Sequence, residues 1–191
     1  MKICLVRHGE TDWNKIGKLQ GHTDIELNKN GILQANACAD YLSNTPFDLI
    51  ITSPLKRAKQ TAEIIAEKKC LPLIEMQQFI ERNYGDAEGM TEEVRLKKFP
   101  DLQYTNQESK EDLRTRVMSG LNQIQKEHKE YNIILVAHGA VINSILAILS
   151  NNEIGSGKTK LANACLSTIF YEQGIWKINN YNQVEHLKVT L

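Results

Sequence analysis

The chain has 191 residues, and its 23 lysines and arginines equal its 23 aspartates and glutamates, so no global field draws it to nucleic acid or to an anionic membrane. That length supports one core with room for a small inserted region, and no apolar run approaches a membrane span. Cys4, Cys38, Cys70 and Cys165 are scattered without a C-x-x-C pair, and no charged start with an apolar stretch precedes Arg7, which together predict a reducing, cytosolic setting. Lys2 to Val6 reads as a buried strand, and Gly9 to Asn28 as a long irregular loop. From Lys29 to Leu42 the apolar positions Ile32, Leu33, Ala35, Ala39 and Leu42 recur at helical spacing, and Phe47 to Thr52 is strand-like. Ser53-Pro54 predicts a helix start with Ser53 as N-cap, a helix to about Lys69, and Arg57 on its opening turn, where unpaired N–H groups favour an anion.

Leu71 to Met76 is a short third strand. Between Glu81 and Lys110 the pattern weakens into Gly, Pro and charged residues, with a short helix over Thr91 to Phe99, and Glu111 to Glu130 follows as a long amphipathic helix. Asn132 to Ala137 is a buried strand, Ala140 to Leu149 an apolar-faced helix, and Cys165–Tyr171 with Ile175–Asn179 a closing hairpin. The alternation predicts an α/β fold: a mostly parallel mixed sheet with one antiparallel strand, helices on both faces, and a small helical excursion over the carboxyl ends of the strands. Residues 1–191 are expected to form one domain, with an inserted cap at about 83–115.

The feature that carries chemistry is a near-repeat. Cys4-Leu5-Val6-Arg7-His8-Gly9 returns as Ile134-Leu135-Val136-Ala137-His138-Gly139, so two apolar runs each stop at a His-Gly pair. Parallel strands deliver their carboxyl ends to a crevice, which predicts that both imidazoles face one site. Gly155-Ser156-Gly157-Lys158-Thr159 looks like the tail of a P-loop, but Asn152 stands where the opening glycine should fall and a helix precedes it, so it is read as a surface loop. His22, His128 and His186 lack metal-ligand spacing and are read as structural, with His128 facing solvent.

Leu5-Val6-Arg7-His8-Gly9-Glu10-Thr11 resembles the signature of the histidine phosphatase superfamily, the phosphoglycerate mutase-like family. Asn14, Leu19-Gln20-Gly21, Ser53 to Ala58 with Gln60-Thr61-Ala62, Glu81-Arg82-Asn83-Tyr84-Gly85 with Glu88-Gly89, and Ala137-His138-Gly139-Ala140 are similar to its motifs, in its order. A phosphomonoester needs cationic donors around its equatorial oxygens, an in-line nucleophile, and an acid for the leaving group. Arg7 and Arg57 offer guanidinium forks for the phosphate, and His8 is the candidate nucleophile because a neutral imidazole attacks phosphorus without first losing a proton. The resemblance implies Glu81 as the proton donor and places Asn14, Gln20 and Gly139 with the phosphate-binding set. His138 is assigned to the same pocket, where a protonated ring would donate to a phosphate oxygen.

The implied activity is metal-independent, cofactor-free hydrolysis of a small phosphorylated metabolite, through a phosphohistidine, releasing inorganic phosphate. The alternatives are a cofactor-dependent phosphoglycerate mutase, favoured by the Glu81 to Gly85 stretch, and a non-catalytic phospholigand-binding module. Only Tyr181 to Leu191 follows the hairpin, little to shield a phosphoenzyme from water, which favours hydrolysis. The segments Asn83 to Lys110 and Asn151 to Ala162 are expected to rim the leaving-group side. Neither the particular alcohol nor the oligomeric state can be read from the sequence.

Overall fold

Strands β1 (Lys2–Arg7), β2 (Leu49–Thr52), β3 (Leu73–Glu75), β4 (Asn132–Ala137), β5 (Leu166–Glu172) and β6 (Ile175–Gln183) form one sheet in the order β3-β2-β4-β1-β5-β6 in this computed structural model. It describes residues 1–190, with the backbone alone for 188–190; Leu191, the last residue of the tail after the hairpin, lies outside the described residues. β3, β2, β4 and β1 are mutually parallel, and β5 runs against both β1 and β6. The expected mixed sheet with one antiparallel strand is therefore present. The helices are α1 (Asp12–Lys15), α2 (Lys29–Leu42), α3 (Lys56–Lys69), α4 (Glu92–Lys98), α5 (Lys110–Glu127) and α6 (Gly139–Leu149).

Why the central strands read as continuous apolar runs is clear from the layers, because each face of the sheet is covered. Ile3 and Leu5 of β1 and Ile133, Leu135 and Ala137 of β4 point to one face, where they meet Leu113, Val117, Leu121 and Ile124 of α5 and Val141, Ile142 and Ile145 of α6. Cys4, Val6, Ile134 and Val136 point to the other, against Cys38, Ala39 and Leu42 of α2 and Ala58, Ala62 and Ile65 of α3. The helix that follows β1 covers one face and the helix that follows β4 covers the other. Adjacent parallel strands whose connections part in this way leave a crevice beyond their carboxyl ends, the ligand position of open α/β sheets.

Several local expectations need correction. The stretch from Gly9 to Asn28 contains α1, a single turn held by a capping box in which Asn14 N–H donates to Thr11 Oγ1 and Asn14 Oδ1 accepts from Thr11 N–H, both at 3.1 Å. One turn is too short to show periodicity, so only the Thr-x-x-Asn spacing could have revealed it. Ser53 is not the N-cap of α3: Leu55 is, with no side-chain cap bond, while the Ser53 hydroxyl meets His138 Nε2 at 2.7 Å and accepts from the Leu55 N–H at 3.3 Å. The Lys56 N–H at that helix opening goes to Asp24 Oδ1 at 2.8 Å, so this donor is already engaged within the protein. The hairpin's second strand also runs past Asn179 to Gln183, and α5 begins at Lys110, inside the range expected for the cap.

The segment after β1 is pressed against the start of α2. A methyl group at Gly31 would lie 2.1 Å from the Glu10 carbonyl oxygen and 2.8 Å from its nitrogen, both backbone atoms that cannot swing aside. Gly31→Ala is accordingly expected to destabilise the fold by about 1–3 kcal/mol, as overpacking does. Urea denaturation would read this, and an unchanged midpoint would show that the Glu10 backbone shifts freely.

Candidate active site

Parallel pairing of β1 with β4 sets Arg7 beside Ala137, so the two His-Gly pairs leave the sheet side by side. The His8 N–H donates to the Ala137 carbonyl at 3.0 Å, and the two imidazole rings lie with centroids 5.2 Å apart, tilted by 56°. The crevice above them is a cavity of about 640 Å³ whose lining includes Arg7, His8, Asn14, Gln20, Arg57, Glu81 and Gly139. Seven of the eight residues expected at the site thus border one space. His138, the eighth, is fully buried behind His8 and does not line it.

His8 is 2% exposed and its Nδ1 lies 2.7 Å from the Gly9 carbonyl oxygen. A carbonyl only accepts, so Nδ1 carries the hydrogen and the lone pair of the neutral ring sits on Nε2. Burial, followed by the Arg57 and Arg7 charges, pushes the His8 pKa well below its ordinary value and holds the ring neutral. His138 is shifted the same way by burial and then by Arg57, His8 and Arg7. In the free protein these shifts disfavour the protonated ring expected for His138, whose Nε2 lies 2.7 Å from Ser53 Oγ and whose Nδ1 has no partner.

Each guanidinium is anchored by backbone carbonyls. Arg7 Nη1 donates to the Leu161 oxygen, and Arg57, 1% exposed, donates through Nη1 to Thr23 at 3.1 Å and through Nη2 to Gly21 at 2.8 Å. The Nε of both is buried without a partner. Among the described residues neither has a carboxylate within ion-pair reach; Glu81 lies close enough only to favour their charged forms. Burial lowers both pKa values, and an anion in the cavity would offset that cost. Glu81, 8% exposed, accepts from the Arg82 N–H at 2.9 Å and, through Oε2, from the Ala140 N–H at 3.3 Å. Its carboxyl thus bridges the segment after β3 and the opening of α6.

Several residues outside the expected site set hold this arrangement. Asn163 Nδ2 reaches the carbonyls of His8 and Gly9 and the Asn14 side-chain oxygen at 3.1 to 3.3 Å, which fixes the turn after β1 and the orientation of Asn14. Arg116 pairs with Glu108 and donates to the carbonyls of Gln78, Ile80 and Glu81, pinning the backbone that presents Glu81. His22 Nε2 donates to the same Glu81 carbonyl at 2.8 Å, and His186 is buried against Cys38 and the Ala164 carbonyl. His128 is half-buried and stacks on Tyr131. The P-loop-like stretch is not idle surface: Ser156, Gly157 and Lys158 line the cavity, as do Lys18, Tyr84 and Arg95. Among the described residues no group of three or more His, Cys, Asp or Glu side chains is placed to hold a metal ion.

An α/β fold with paired His-Gly strand ends under a cavity lined by two arginines without carboxylate partners has the features of a phosphate-handling domain. The chain belongs to the histidine phosphatase superfamily: the model of its branch 1 matches residues 3–184. It is 48% identical to the uncharacterized phosphatase PhoE of Bacillus subtilis, over 97% of this chain and 96% of that one, and 34% identical to a metal-independent phosphoserine phosphatase of Arabidopsis thaliana, over 97% and 83%. Solved structures of phosphoserine phosphatase from Entamoeba histolytica superpose over 97% of this chain and 98% of theirs. The complex with phosphoserine, of a mutant, gives a TM-score of 0.84 at 34% identity, and the complex with 3-phosphoglyceric acid 0.86 at 33%. These full-length relatives place the chain among the phosphatases of the superfamily.

Glu88 is the hub of the loop that anchors Arg57. Its Oε1 accepts from the N–H groups of His22 and Tyr84, and its Oε2 from the N–H and hydroxyl of Thr23, at 2.6 to 3.1 Å. A methyl group at Gly21, where φ is +57°, would stand 1.9 Å from Oε1, so this residue must lack a side chain for the carboxylate to reach the loop. Burial raises the Glu88 pKa, but these hydrogen bonds outweigh it and leave the group below its ordinary value. Glu88→Gln, which turns an acceptor into a donor facing donors, is expected to cost roughly 1.5–3 kcal/mol of stability and to weaken phosphate binding. Because the folded-state pKa is lowered, the wild-type advantage should be full above pH 4.5 and shrink as pH falls below it. Urea denaturation of both proteins across that range checks this; equal stability throughout would remove Glu88 as the hub.

Proposed function

We propose that the chain is a metal-independent phosphatase that hydrolyses small phosphomonoesters through a phosphohistidine on His8, with Glu81 as the proton donor. The observation that carries the proposal is the Nδ1–H···O=C bond from His8 to Gly9, which leaves the Nε2 lone pair for the cavity that Arg7, Arg57 and Glu81 also line. In the first step Nε2 bonds to phosphorus, the bond to the ester oxygen breaks, and Glu81 delivers its proton to the departing alkoxide. In the second, the Glu81 carboxylate takes a proton from water as that water attacks phosphorus, which releases inorganic phosphate and restores the neutral ring. Arg7 and Arg57 hold the phosphoryl oxygens and stabilise the charge that spreads over them in the transition state. Asn14, Gln20 and the Gly139 backbone complete the phosphate set. His138, packed against the His8 ring and bonded to Ser53 Oγ, supports the pocket floor from beneath.

Residues 1–191 are read as one domain in which the segment from about 83 to 115 caps the cavity. The rim favours a leaving group that bears a carboxylate, because Lys18 and Arg95 border it without a carboxylate partner among the described residues and Arg95 Nε is buried unpaired. Phosphoserine and 3-phosphoglycerate, the ligands of the Entamoeba complexes, have that chemistry. The four cysteines are free thiols, three of them buried, which supports a reducing, cytosolic setting. No described helix is long and apolar enough to cross a membrane.

His8→Ala is expected to abolish both turnover of p-nitrophenyl phosphate and acid-labile labelling of the protein by radioactive substrate, while chelator leaves the wild type unaffected. Turnover that survives in His8→Ala sinks the nucleophile assignment, and isomerisation of 3-phosphoglycerate faster than phosphate release makes the chain a mutase.

The pH profile provides a separate check. A lowered His8 pKa keeps the nucleophile unprotonated as pH falls through 6.5, so the acidic limb of kcat/KM should lie below that value. A limb centred at or above 6.5 would show that the ring titrates as an ordinary exposed imidazole.

A further inference from the structure

The arginines are distributed unevenly with respect to their partners. Arg116 is paired with Glu108, whereas Arg7, Arg57, Arg82, Arg95 and Arg114 have no carboxylate within ion-pair reach among the described residues. Arg7, Arg57 and Arg95 line the catalytic cavity. Arg82 and Arg114 line a second one, of about 250 Å³, enclosed between α5, α6 and the 152–156 loop, and Lys110 joins them there. Among the described residues no carboxylate borders this second cavity. The two spaces share Tyr84, Ala140, Asn143 and Ser156 as a common wall.

The second cavity is furnished for a ligand. Arg82 is held rigidly, donating through Nε and Nη2 to the Glu108 carbonyl at 2.9 and 2.8 Å while its guanidinium stacks on the Tyr84 ring. Arg114 is tied to the Asn152 side-chain oxygen through Nη2. On the α6 side the Ser144 hydroxyl, 7% exposed, has no hydrogen-bond partner, although a serine inside a helix ordinarily bonds the carbonyl four residues back. A buried hydroxyl, two half-buried guanidinium groups and an ammonium around one small space, with nothing of opposite charge, describe an anion site whose counter-charge the protein does not supply.

We propose that this cavity is a second anion site, which takes a phosphate-type dianion through Arg82, Lys110, Arg114 and the Ser144 hydroxyl. The dianion has two possible sources: the far end of a substrate that carries two anionic groups, or a free phosphate bound beside the catalytic cavity. The second case rests on geometry alone; the first also rests on the phosphatase reading.

Equilibrium dialysis with radiolabelled inorganic phosphate at low ionic strength tests the site without turnover. The wild type should bind a second phosphate per chain; Lys110→Ala/Arg114→Ala should lose that one and keep the catalytic one, and Arg7→Ala the reverse. A single phosphate in the wild type, or unchanged binding in the double variant, overturns the proposal. Kinetics then separate the sources. If the far end of the substrate occupies the cavity, a short diol bisphosphate should show a KM roughly tenfold below that of the matching monophosphate, and the double variant should erase the difference. If free phosphate occupies it, the two esters should behave alike, and inhibition by phosphate should depart from simple competition in the wild type but not in the variant. Failure of the wild type to hydrolyse any monoester would defeat the phosphatase reading and leave the dialysis result to decide this one.

Discussion

The pairing of β1 with β4, residue against residue from Lys2 with Asn132 to Arg7 with Ala137, is the constraint on which the site depends. A parallel register fixes not only which side chains share a face but also where two strands stop, and here both stop at histidine. A slip by one position would turn Ile3 and Leu5 from one core to the other and draw His8 away from His138. Both faces of these strands are covered by helices, so neither slip nor rotation is open to them. The imidazole pair is therefore set by the most deeply buried part of the molecule, while the groups that complete the cavity come from loops: Gln20 before α2, Glu81 after β3, and the Ser156 to Leu161 stretch.

Charge, which cancels over the whole chain, is concentrated where it cannot be screened. Arg57 is fully buried and spends its hydrogen bonds on neutral carbonyls of Gly21 and Thr23, which orient it without neutralising it. The same choice recurs at Arg7 with Leu161 and at Arg82 with Glu108, where the backbone oxygen and not the carboxylate is the partner. A carboxylate partner would stabilise the free protein and compete with an anionic ligand for the same donors. Carbonyl anchors give up that stability and leave the cation available. The Glu108 carboxylate is engaged instead by Arg116, which lines neither of the two cavities and serves to hold the backbone of Glu81.

Much of this was legible in the sequence, for identifiable reasons. Buried strands advertise themselves as apolar β-branched runs, and the repetition of Leu-Val-x-His-Gly fixed the convergence of His8 and His138 before any sheet order was known. Arg7 and Arg57 were expected from what phosphoryl chemistry requires, and Glu81 from the family resemblance of its motif. What escaped was short or long-range. The single turn at Asp12–Lys15 has no periodicity to detect. Ser53 has the residue type and Pro neighbour of an N-cap, yet its hydroxyl is claimed by a histidine 85 positions away. The hub role of Glu88, the clamp of Asn163 and the protonation state of His138 depend on contacts between segments remote in sequence, and no local pattern encodes them.

Burial favours the neutral state of both histidines and works against the charge on both arginines, which makes the empty and the filled cavity electrostatically unlike. With no anion, the guanidinium charges press the imidazole pKa values down, which protects the His8 lone pair. A phosphate dianion among the same groups reverses that field and favours a proton on any ring nitrogen that faces it. On the proposed mechanism the His8 lone pair is thus most available before substrate arrives. For the proposed reaction, one arrangement would therefore both keep the His8 Nε2 bare and offer cationic donors to the charge that its attack would create. Its cost is borne by the free protein, in the two unpaired Nε groups and the orphan His138 Nδ1 that remain buried beneath the cavity.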